Sequence, residues 1–78
     1  MIDVKTAVRI AHKYLTELYP DDPEVADVRL EEVELGDDNK WHVTLSFLSA
    51  PFAERTYKQF EIMADDGAVR SMKIRSLR

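Results

Sequence analysis

Apolar and polar residues alternate most cleanly along Trp41-His42-Val43-Thr44-Leu45-Ser46-Phe47. Trp41, Val43, Leu45 and Phe47 share one parity, the period of a strand with one face in a core. Aromatic and β-branched side chains suit that pleated, half-buried surface. A second, slower period precedes it. Val4, Ala7, Val8, Ala11, Leu15 and Leu18 recur at three- and four-residue steps, with Ile10 and Tyr14 widening the stripe. That spacing predicts an amphipathic helix. Asp3 is placed to cap it, although Thr6 stands where a capping box would have glutamate. Pro20 ends the helix near Tyr19.

The next apolar pattern contains a conflict. Val28 and Leu30 have one parity, Val33 and Leu35 the other. A bulge at Glu31-Glu32 returns both pairs to the core face of a strand over 27–35; a bend serving the other face is the alternative. Pro23 to Ala26 has room for a short helical turn. Gly36 and Asn39 supply positive φ for a connection into the Trp41 strand. Thr56 to Met63 reads as a third strand with Phe60 and Ile62 inward, and Asp65-Asp66-Gly67 as its turn. Val69 to Arg75 is a fourth strand with Met72 and Ile74 inward, and Leu77 has outward parity. The expected fold is α+β over residues 1–78: one N-terminal helix packed on a single four-stranded antiparallel meander sheet.

One helix can cover one face. The other would carry His42, Thr44, Ser46 and Leu48, then Tyr57, Gln59, Glu61 and Met63, then Val69, Ser71, Lys73 and Arg75. That mixture suits a solvated sheet face and equally a modest interface, where tyrosine, methionine and arginine are enriched. The candidate interface residues are therefore Leu48, Phe52, Tyr57, Met63, Lys73 and Arg75. Phe52 either folds onto the end of the core or anchors a partner.

Charge and size refine this picture. The chain has 78 residues, no cysteine, 11 basic and 15 acidic residues and a net charge of -4. So small a core invites dimerisation, and a homodimer and a foreign protein partner both stay open. Ten acids and one base, Arg29, lie between Glu17 and Asp38, while Arg70, Lys73, Arg75 and Arg78 end the chain without an acid. The acidic balance and the few stacking aromatics argue against nucleic acid. The start of the chain shows no export pattern and no apolar run spans a bilayer, so a cytoplasmic location and no membrane partner are expected.

Chemistry-bearing patterns are sparse. His12 and His42 fall on opposite sides of the predicted domain, neither with a second ligand at His-x-x-x-His spacing. The paired acids Asp21-Asp22, Glu31-Glu32, Asp37-Asp38 and Asp65-Asp66 match no calcium loop. Ser46, Thr44 and His42 lack an orienting acid and an oxyanion hole. No catalytic residue, metal site or cofactor is expected, and the chain reads as a non-enzyme.

The order of elements, with the stretch from Tyr57 to Val69, resembles the small PepSY-type domains. Asp65, Gly67 and Val69 match their strand-to-turn signature, and Ala7 with Ala11 match the helix. A helix on a curved four-stranded sheet also looks like the cystatin arrangement. The resemblance implies a regulatory or interaction module; inhibition of a protease is not expected, since the sequence shows neither a protease part nor an export pattern. A small-molecule site between helix and sheet, beside Tyr14, Trp41 or Tyr57, is the alternative.

Overall fold

A computed structural model describes residues 1–18, 26–48 and 55–75. Helix α1 spans Val4–Leu18, and strands β1 to β4 span Ala26–Leu35, Lys40–Leu48, Arg55–Met63 and Val69–Ile74. They form one antiparallel sheet in the order β1-β2-β3-β4, a meander with the helix on one face. The predicted class and layout are those observed. The expectations for Phe52, Leu77 and a turn at Pro23 to Ala26 fall outside the described residues.

The helix begins where a cap allows it to. The Asp3 carboxylate accepts from the Thr6 amide at 2.8 Å, satisfying one of the free donors of the first turn. Its apolar stripe then lies on the Trp41 strand. Ala7, Ala11, Leu15, Val43, Leu45, Phe47, Phe60 and Ile62 form the buried core. The two alanines let the backbone approach the sheet, and Tyr14 closes onto the Phe60 ring edge-to-face at 6.2 Å. The N-terminus is pinned as well. The Ile2 amide donates to Ala64 O at 2.7 Å, and Trp41 Nε1 donates to Ile2 O at 3.2 Å.

Three register shifts set which side chains face the helix, the first between Ala26↔Leu48 and Arg29↔Ser46 at the start of β1. In β1 the register passes from Leu30↔Leu45 to Glu32↔Thr44, so Glu31 is the extra residue. This is the expected bulge, and it places Val28, Leu30, Val33 and Leu35 on the helix side. A third shift separates Glu61↔Ser71 from Ile62↔Val69 and leaves Arg70 extra. Val69 therefore packs on the core instead of joining Ser71, Lys73 and Arg75 on the far face, where unbroken alternation put it.

Three residues expected in the core lie on the correct face without being covered. Leu30 is 49% exposed, Leu35 44% and Ile74 78%. The reason is width. A helix about 10–12 Å across cannot span four strands spaced roughly 4.8 Å apart. It covers the middle of the sheet and leaves both edge strands partly bare. The turns follow the residues that permit them. Asn39 has φ 59° and Gly67 φ 78°, whereas Gly36 does not use the left-handed region and Asp27, at φ 53°, does. At Gly67 a side chain would also press within 2.9 Å of Ile10 Cδ1.

Candidate interaction surfaces

The sheet face away from the helix is polar, but its centre is not wet. Thr44 and Ser46 are both fully buried, because long side chains from neighbouring strands arch over them. Ser46 Oγ donates to Glu31 at 2.6 Å and accepts from Arg55 Nη1 at 2.9 Å. Arg55 also donates to Asp27 O at 2.9 Å and pairs with the Asp27 carboxylate. Arg75 Nη1 reaches Thr44 Oγ1 at 2.8 Å and Glu32 at 3.2 Å. The Glu31 bulge makes this canopy possible, since both glutamates of the pair turn toward the same face. The Arg55 guanidinium first, and Arg29 beside it, hold Asp27 below the usual carboxylate range.

Five of the six candidate interface residues can be placed, and all five share this face: Leu48, Tyr57, Met63, Lys73 and Arg75. They do not make one patch. Leu48 pairs with Arg55 at one end of β2, while Met63 pairs with Lys40 at the other. Eight residues of strand separate those ends by about 27 Å. Tyr57 is half-buried opposite Ser46, and Arg75 is engaged in the canopy.

The apolar exposure lies instead beside the helix. Val4, Lys5, Val8, Arg9, His12 and Leu30 line a groove of about 560 Å³ between α1 and β1, open to solvent along its length. Its apolar wall is Val4, Val8 and Leu30, and Val4 is 40% exposed. Lys5, Arg9 and His12 border it. A smaller depression on the other flank of the helix is lined by Ile10, Lys13, Tyr14, Glu17 and Val69. The stripe residues Val4 and Val8 were legible as helix-core positions, yet nothing in the sequence shows that the helix is too narrow to seal them.

A third group gathers at the β1–β2 turn. His42 Nε2 is 3.2 Å from each oxygen of the Asp38 carboxylate, and His42 pairs directly with Glu61 across β2 and β3. Lys40 Nζ reaches Glu61 at 3.3 Å. His42, followed by its attraction across the gap, keeps Asp38 below the ordinary carboxylate range. Lys40 chiefly does the same for Glu61. Ser71, opposite Glu61, adds a smaller lowering although its buried Oγ completes no hydrogen bond of ordinary geometry. The two histidines do lie on different sides of the sheet, as expected. What spacing alone did not reveal is that the register brings two carboxylates to one of them.

No helix of the described residues is long and apolar enough to cross a membrane. No protein-family model, curated protein or solved structure matches this chain.

Proposed function

We propose that this protein is a non-enzymatic interaction module that receives an apolar, acidic segment of a partner polypeptide in the groove between α1 and β1. The observation that carries this reading is the character of that groove. Exposed Val4 and Leu30 form an apolar floor with Val8 while Lys5 and Arg9 stand at its border. The molecule as a whole is acidic, at -4, so a basic margin around apolar side chains selects for an occupant that carries carboxylates beside its apolar anchors. The face that invited an interface on sequence grounds offers less, because Arg55, Arg75 and Glu61 there are already paired and its apolar residues are scattered. A helix-in-groove mode needs only a short stripe of apolar anchors.

The PepSY resemblance supports a regulatory role of this kind through its layout, a helix on an antiparallel sheet with an Asp65-x-Gly67-x-Val69 turn. A second reading has one observation in its favour. The groove's 560 Å³ falls within the range of about 300–1,000 Å³ typical of small-molecule sites, which suits an amphiphilic carboxylate.

A titration with designed peptides separates these outcomes. One peptide carries a leucine stripe flanked by glutamates; its counterpart keeps the stripe and replaces the glutamates with lysines. Saturable amide shifts at Val4, Val8 and Leu30 with the acidic peptide alone are the expected result. Equal response to both peptides, or to neither, overturns the reading, and saturation by decanoate alone assigns the groove to a small amphiphile.

A further inference from the structure

We propose that Asp38, His42 and Glu61 form a binding site for a borderline divalent transition cation such as Zn²⁺, on the opposite side of the sheet from the groove. One ligand atom from each of the three residues lies within 4.8 Å of the other two. Donors sharing an ion about 2.1 Å away stand roughly 3–4 Å apart, so a small rotation of the Glu61 side chain closes the set. One imidazole nitrogen with two carboxylates suits zinc and its neighbours; calcium and magnesium require more oxygen donors than the three residues supply.

The backbone holds these groups ready. His42 and Glu61 are cross-strand partners, which fixes two ligands on paired strands. Asp38 is carried by a turn in which the Gly36 amide donates to Lys40 O at 2.9 Å and the Ala64 amide to Asn39 O at 3.0 Å. Gly36 provides the space: a Cβ there would come within 2.7 Å of Asp38 Oδ1 and 2.8 Å of His42 Nε2. Beside the cluster stands Ser71, opposite Glu61, whose buried Oγ completes no hydrogen bond. A metal drawing Glu61 into its coordination sphere would let that hydroxyl donate to the carboxylate, the usual support for a ligating group.

The charges near His42 favour a cation. Asp38 and Glu61 face it, Glu34 pairs with it from β1, and Lys40 opposes them. Lys40 is then the competitor, since its ammonium occupies Glu61 whenever the metal does not. Replacing it should therefore strengthen binding.

The test is a Zn²⁺ titration of the full chain, followed through the His42 ring ¹H–¹⁵N signals and by calorimetry. One ion per chain is expected, with His42→Ala weakening affinity by more than about a hundredfold, beyond the roughly 10–100-fold that loss of a supporting group costs. Lys40→Met should tighten it, and Glu61→Gln should weaken it in a chain that keeps its hairpin hydrogen bonds. Absence of saturable binding below about 1 mM overturns the site. Affinity unchanged in His42→Ala identifies an adventitious ion only, whatever Lys40→Met does.

Discussion

Ser46 shows how much a single polar side chain carries in this fold. Its buried hydroxyl donates to Glu31 and accepts from Arg55, linking β1, β2 and β3. Ser46→Ala leaves two charged groups short of a partner, and urea unfolding should show a loss of about 1–3 kcal/mol. The polar parity of Thr44 and Ser46 was legible in the sequence; their burial was not, because it comes from arginines and glutamates reaching over from other strands. The carboxylates also set the response to acid. Asp27, Asp38 and Glu61 are all lowered, chiefly by Arg55, His42 and Lys40 respectively. A carboxylate lowered in the folded state binds its proton more readily when the chain unfolds, so its stabilisation is present above the unfolded value and is lost as pH falls through the folded one. Stability should hold at neutral pH and drop below about pH 4, as thermal melts across that range will report. Melts equally stable at pH 7 and pH 3 would contradict these pairings.

Among the elements, β1 gives the clearest test of how pattern becomes register. Its apolar residues change parity across Glu31-Glu32, and one extra residue resolves the conflict. Deleting Glu31 leaves Val28, Leu30, Val33 and Leu35 in strict alternation. The variant should fold cooperatively with the same helix packing, losing no more than the roughly 1.5–3 kcal/mol of a hydrogen bond to a charged group, here Ser46 to Glu31. Deleting Val33 should instead destabilise the protein strongly, because closing the bulge keeps Val28, Leu30 and Leu35 on the helix side but puts Glu32 opposite Val43 against the core. The same signal exists in β4, where Val69 and Met72 differ in parity. It was missed there because Met72 and Ile74 already satisfied a straight strand, and one apolar residue on the far face raised no conflict. Helix α1 and its Asp3 cap were readable residue by residue, since both depend only on local spacing.

Across the whole molecule, the decisive quantity is the mismatch between one helix and four strands. It accounts for the bare Leu30, Leu35 and Ile74 and for the groove beside Val4 and Val8. Sequence periodicity tells which side chains point toward the helix and is silent about how far the helix extends over them. The cluster of Asp38, His42 and Glu61 was hidden for a related reason, as it depends on strand register and not on spacing along the chain. Dimerisation, which the small core invites, would have to use one of these bare margins. The edge of β1 is a poor candidate for strand pairing, given its bulge and its glutamates. The central claim is that recognition occurs beside the helix and not on the polar sheet face. Its most direct test is the affinity of the acidic leucine-striped peptide for Leu30→Ser and Tyr57→Ser variants, each first shown to unfold cooperatively. The account predicts a loss of about tenfold, worth roughly 1.4 kcal/mol, in Leu30→Ser and no change in Tyr57→Ser. The reverse pattern would contradict it and return the interface to the face carrying Tyr57.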